Sequence, residues 1–377
     1  MRIDSGQQAY RELIATLREP PVRDLAWLLL SDDLLSAARF PAALAHLDAG
    51  NAVTAALHDW LLACDADAAP LREFIVQQGE SNRLGRYAEQ LLHFALLNSP
   101  SLELLAAGLQ VRDVRRGNMT LGECDFLLER RADRQLLHWE LAVKLYLFVP
   151  PAGPIAQVPP LDERSLQFHW LGPNLADSLA DKVARLLGHQ LRLTTFEAVR
   201  SALPAAGPWL PQVYLKGWLF HPLTQPAALP QVAAETHGRG WWATLDEWWV
   251  QAQATLSVQG DASSSAGVGD EAWAILPRAR WLAPARVGEH AVFSLSAMRE
   301  RIETHWRERG VAEPLLVVSL TRPASAQGDW IERTRGFIVP DYWAPRARHR
   351  IEELAGRAEA AARRALAESA NDGAPSL

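Results

Sequence analysis

The stretch from Gly122 to Lys144 constrains this chain more than any other. Gly122-Glu123-Cys124-Asp125-Phe126-Leu127-Leu128 and Leu136-Leu137-His138-Trp139-Glu140-Leu141-Ala142-Val143-Lys144 each alternate at a period of two. That period predicts two β-strands, and the polar stretch 130–135 between them predicts the turn of an antiparallel hairpin. Glu123, Asp125 and Leu127 then share a face of the first strand; His138, Glu140, Ala142 and Lys144 share a face of the second. A turn centred between Ala132 and Asp133 sets Asp125 directly across from Glu140, with Cβ atoms roughly 4.5–5.5 Å apart. Like charges that close destabilise a hairpin unless a cation lies between them. Hard carboxylate oxygens suit magnesium or manganese in that place.

At 377 residues the chain is long enough for two or three domains and a substantial core. A hydrophobic content of 49% and a mean hydropathy of −0.10 are those of an ordinary globular protein. The formal net charge of −6 provides no global attraction to nucleic acid, so such binding needs a local basic patch. Two cysteines, Cys64 and Cys124, make no disulfide framework and read as buried thiols in a reducing cytoplasm. The N-terminal residues lack a signal peptide's apolar core, and Lys144 and prolines interrupt the apolar run 141–159, so neither export nor a membrane span is expected. Of 38 basic residues only Lys144, Lys182 and Lys216 are lysines. A lysine kept in so arginine-rich a chain points to a role guanidinium cannot fill, such as a compact donor or a shiftable pKa.

Residues 1–78, rich in Ala and Leu, read as a helical cap with runs over 24–30 and 51–63 and no catalytic pattern. A helix is predicted over 83–97, capped by Ser81 or Asn82, with Gly85, Glu89 and His93 on one face. Glu89 there is either a site acid or a solvated side chain paired with Arg86. A strand over 102–116 ends in Arg112, Arg115 and Arg116; the hairpin supplies the second and third strands. A second helix is predicted over 174–193, with Leu175, Leu179, Val183, Leu186 and Gln190 as its stripe. A fourth strand spans 211–220. From 223 onward the character changes, with nine of the 15 tryptophans and a Gly/Ser-rich loop at 260–270. Strands are predicted over 273–286, 314–321 and 336–339, and helices over 294–309 and 344–369. The tryptophans are irregularly spaced, which favours core or interface over a base-stacking groove.

The Gly-Glu-x-Asp of the hairpin, its apolar run and the following Glu…Lys resemble the PD-(D/E)XK nuclease superfamily. More narrowly, the chain resembles an uncharacterised bacterial family within it, domain of unknown function 1853. The order helix, three strands, helix, strand over 79–222 agrees with that superfamily. The resemblance implies an α/β fold with a restriction-endonuclease-like core and a mixed four-stranded sheet, between a helical cap (1–78) and a Trp-rich α/β region (223–377). It implies a phosphodiesterase using one or two Mg or Mn ions, with nucleic acid as partner and DNA favoured over RNA. Asp125 and Glu140 would hold the metal, Glu89 would be a third acid, and Lys144 would assist the attacking water. Glu123, Lys182 and Gln190 would stand around them.

One departure bears on the chemistry. The usual pattern is acid, one residue, lysine, but Ala142 occupies that position and Lys144 lies roughly 6.6 Å further along the strand. A long side chain or a bulge would absorb that shift and keep the role with Lys144; otherwise Lys182 or Gln190 from the second helix would take it. Nucleic acid would track Arg112, Arg115 and Arg116, or Arg130, Arg131 and Arg134 around the turn. The alternatives are a solvent-facing sheet edge with Glu140 and Lys144 paired, and an inactive module that binds a protein partner or a second copy through the Trp-rich region. No Walker loop, zinc spacing or nucleophile elbow is present.

Overall fold

The computed structural model describes residues 5–47, 54–79, 81–113, 117, 119–153, 161–225, 227–262, 271–310, 312–322 and 328–372. The chain is mixed α/β, built on one eleven-stranded sheet. Its strands are β1 (Ala43–Leu44), β2 (Leu102–Asp113), β3 (Met119–Arg130), β4 (Gln135–Phe148), β5 (Trp170–Leu171), β6 (Trp209–Pro222), β7 (Gly238–Thr244), β8 (Glu271–Ile275), β9 (Arg286–Val287), β10 (Leu315–Thr321) and β11 (Trp330–Val339). The main path runs β2-β3-β4-β6-β7-β11-β10-β8, with β1, β5 and β9 paired off it. The helices are α1 (Ser5–Thr16), α2 (Pro20–Leu30), α3 (Ala55–Ala66), α4 (Ala69–Gln77), α5 (Leu84–Leu97), α6 (Glu163–Phe168), α7 (Leu179–Gly188), α8 (Leu245–Ala262), α9 (Leu295–Arg309) and α10 (Trp343–Asp372). Among the described residues no helix is long and apolar enough to cross a membrane.

Strand β4 lies in the sheet interior because both of its faces are apolar. Trp139, Leu141 and Val143 pack with α2 and α5, while Tyr146 and Phe148 pack with Leu179 and Leu186 of α7. This removes the solvent-facing sheet edge. Glu140 is fully buried, and Lys144 does not pair with it. The four strands expected to form a sheet of their own are neighbours, but the sheet does not stop at four. Beyond β6, β7 adds in parallel through Trp218↔Gly238 to Pro222↔Trp242, so residues on both sides of position 223 share one sheet. In the C-terminal part Trp242, Trp248, Trp273, Trp281, Trp330 and Trp343 are buried in its core. Their rings hold helices on the sheet and are not offered as a stacking surface.

Two sequence expectations are corrected. The helix expected over 174–193 starts later and breaks earlier. Leu175 has a left-handed φ of 59°, Ser178 caps α7 by accepting from the Asp181 N–H, and the helix ends at Gly188. Gln190–Thr195 follows as a separate 3-10 turn. The strand expected over 273–286 is only β8, followed by a 3-10 turn at Arg278–Arg280 and then β9.

The parallel pairing of β4 with β6 runs from Leu136↔Trp209 to Leu147↔Phe220 and sets Lys144 beside Gly217. A Cβ at Gly217 would fall on the Lys144 carbonyl oxygen, a backbone atom that cannot rotate away. Gly217→Ala is therefore expected to cost about 3 kcal/mol or more. Chemical denaturation would measure it, and a cost near zero would mean that the two strands separate locally.

Candidate functional site

The hairpin forms with its register centred between Ala132 and Asp133, as Arg130↔Gln135 through Phe126↔Trp139. The ladder ends there, one pair short of Asp125 and Glu140. Asp125 turns its side chain into the place of the missing backbone bond, and its Oδ2 accepts from the Leu141 N–H at 2.8 Å. Strict alternation also slips at this point. Cys124 and Leu127, three residues apart, pack in one cluster with Leu193 and Val199, whereas Phe126 packs with α5. The simple cross-strand pair expected from the sequence is thus corrected: the carboxylates lie at the parting of β3 from β4. They still interact. Burial first, then the charge of Glu140, pushes Asp125 from its ordinary 3.8 up to about 8, with Glu89 adding to the rise and Lys182 opposing it.

Asp125 opens onto a cleft of about 320 Å³ lined by Arg86, Glu89, His93, Gly108, Glu123 and Phe126, among others. Three of the expected acids, Glu89, Glu123 and Asp125, meet here because α5 crosses the sheet where β3 leaves β4. Glu89 accepts from Arg86 Nη1 at 3.1 Å, the partnership its helical spacing allowed. Gly108 has a φ of 61°, and a Cβ there would press on Glu123 Oε1. Glycine therefore keeps the cleft floor open.

Behind Asp125 lies a buried polar chain. His138 Nε2 donates to Glu140 Oε1 at 2.8 Å, and Gln190 Nε2 donates to Glu140 Oε2 at 2.6 Å. Lys182 Nζ donates to Gln190 Oε1 at 3.0 Å. Burial lowers Lys182 to about 8, helped by Lys144's charge and resisted by Glu140 and Asp125. Gln190 reaches Glu140 because it lies beyond the break in the helix. His138 was legible only as a same-face neighbour of Glu140. Its Nδ1 is buried without a hydrogen-bond partner.

Lys144, by contrast, bonds to Asp177 Oδ2 at 2.6 Å, and nothing in the sequence marked Asp177 as its partner. Lys216 is fully buried on Ser31 O and Asp33. Of the three lysines, Lys182 is the one joined to the acidic pair by hydrogen bonds. Among the described residues no three His, Cys, Asp or Glu side chains form a metal-binding group.

Arg112 lies at the opposite end of the strands from the turn arginines, since β2 pairs Leu102 with Arg130 and Asp113 with Met119. At the hairpin turn Arg130, Arg131 and Arg134 are neutralised by Asp133, Glu103 and Glu129. Arg112 is exposed and donates to Gln110 Oε1. Arg115 and Arg116 lie outside the described residues.

No curated protein and no solved structure is significantly similar to the chain. The family profile described as "Domain of unknown function (DUF1853)" matches residues 23–339, most of the chain and all eleven strands of its sheet. The chain, with its acidic cleft and the buried lysine behind it, belongs to the DUF1853 family.

Proposed function

We propose that this protein is a metal-dependent nuclease whose core, residues 79–222, is of the PD-(D/E)XK type. The observation that carries the reading is the meeting of Asp125 and Glu140 at the parting of β3 and β4, with Lys182 linked to Glu140 through Gln190. The donor set suits a hard divalent ion. Magnesium commonly takes only one or two carboxylates and completes its shell with water and substrate phosphates, so a three-residue cage is not required. Burial raises Asp125 most and repulsion from Glu140 next, and such an ion would relieve the repulsion. Asp125 and Glu140 would hold it, with Glu89 as a third acid from across the cleft.

When bound, the ion would neutralise phosphate charge and lower the pKa of a coordinated water. The chain's own groups do the rest. His138 and Gln190 orient Glu140 by one bond to each oxygen. Lys182, poised near neutrality, takes a proton from the attacking water or returns one to the leaving oxygen. Arg86 supplies the cationic edge of a cleft otherwise acidic. The acids would repel a phosphodiester without a cation, so activity is expected to depend strictly on Mg or Mn.

A second reading is an inactive nuclease-fold module that acts through the C-terminal region. The observation favouring it is that His138 and Gln190 already occupy both oxygens of Glu140. Calorimetric titration with manganese, together with magnesium-dependent cleavage of single- and double-stranded DNA and RNA, decides between them. Saturable binding with cleavage supports the nuclease, and absence of both leaves the module.

A further inference from the structure

The molecule has a second cleft, of about 230 Å³, between the loop before α7 and the first turn of α10. It shares no lining residue with the cleft at Asp125. We propose that it binds a nucleotide, with the phosphate on Arg278 and Arg346 and the base against Tyr342 and the surrounding prolines.

The charges come first. Arg278 lies 5.2 Å from the Trp281 ring centroid and Arg346 lies 5.6 Å from that of Tyr342. Both guanidiniums are exposed, and no carboxylate of the described residues forms an ion pair with either. The other charged group in the lining, Glu313, is neutralised by Arg309 at 2.6 Å, with His305 at 3.9 Å. Two positive charges therefore remain for a ligand to meet. A guanidinium lying on a ring keeps its N–H edge outward, and that edge matches two phosphate oxygens.

The walls are apolar and rigid. Pro173, Pro314 and Pro340 provide surface without N–H donors. Tyr342 is 43% exposed, and its hydroxyl donates to Ala312 O, which pins the ring in place. Trp343 Nε1 donates to Pro173 O at 2.7 Å and ties the two sides of the cleft together. Leu175, at its left-handed φ, completes the wall. A flat ring laid on Tyr342 gains stacking without ordering the site anew. An anion without a ring would leave the aromatic wall unused. A ring without an anion would leave the guanidiniums unused. A nucleotide uses both, whether it is free or the end of a single strand.

Calorimetry on the full-length protein tests this with AMP, inorganic phosphate and a short oligothymidylate. AMP is expected to bind saturably, and Arg278→Ser, Arg346→Ser and Tyr342→Ala are each expected to weaken it roughly tenfold, about one charge-assisted bond or one stacked ring. Tyr342→Phe keeps the ring and is expected to keep the binding, which separates recognition from misfolding. Oligothymidylate that competes with AMP identifies a nucleic-acid strand as the source; AMP binding alone identifies a free nucleotide. Asp125→Asn is expected to leave this site unchanged, so its outcome is independent of the nuclease reading. No saturable binding of AMP, equal affinity for inorganic phosphate, or indifference to all three variants overturns the proposal.

Discussion

Lys182→Met is expected to lower metal-dependent cleavage by about 10²–10³-fold, the scale for removing one group that acts on the developing charge. Lys144→Met is expected to leave the rate largely intact. The contrast rests on geometry. Lys182 bonds to Gln190, which bonds to Glu140, while Lys144 is held by Asp177. Loss of the partly exposed Lys144–Asp177 pair should cost up to about 1 kcal/mol of stability. Lys182→Arg sharpens the result, because guanidinium keeps the charge but cannot release its proton. If Lys182 takes the proton of the attacking water, cleavage by the wild type should rise with pH through about 8 and then level, a proton given to the leaving oxygen should make it fall instead, and Lys182→Arg should lose either dependence. Manganese titration of each variant separates a lost proton carrier from a lost metal site. Cleavage lost with Lys144→Met but kept with Lys182→Met would return the role to Lys144.

Asp125→Asn is expected to abolish divalent-ion binding and cleavage while making the metal-free protein more stable at alkaline pH. Burial and Glu140 raise the folded-state pKa of Asp125 from 3.8 to about 8. An acid raised on folding binds its proton more tightly in the folded state. Its ionisation therefore costs stability progressively as pH rises from the unfolded value through the folded one. Below pH 4 wild type and variant should be alike in this respect. Above 8 the variant should lead by roughly 1–2 kcal/mol, the usual gain when a site built for function is relaxed. Thermal melts at pH 5 and pH 8.5 without metal would show the widening gap. Manganese at the higher pH should raise the wild-type melting temperature and leave that of the variant unmoved. A gap that does not change with pH would mean that neither burial nor Glu140 raises Asp125 in the folded chain.

Glu123, Glu89 and Asp125 could be brought together from the sequence because each lies in an element whose period is local. The pattern 122–144 determined its own hairpin down to the register, since a slip of one residue would turn Phe126, Leu128, Trp139 and Leu141 out of the core. The helix bearing Glu89 and the order of elements over 79–222 were legible for the same reason. What happens at Asp125 was not. The ladder opens there because β4 continues beside β6 and β3 continues beside β2, and the β4–β6 pairing joins residues as distant in the chain as Leu136 and Trp209. The lysine was also undecided. An apolar stripe continued across Gly188 and concealed the break that carries Gln190 to Glu140, and so Lys182 to Gln190. Asp177, in the loop before α7, captures Lys144 only because β5 and the following turn fold back on β4. Periodicity thus determined which residues face which way within each element, except in β3 at Asp125, where the alternation slips and Leu127 joins Cys124. Only the packing of distant elements decided which of two lysines meets the acids, because that depends on where a helix stops and not on what it is made of.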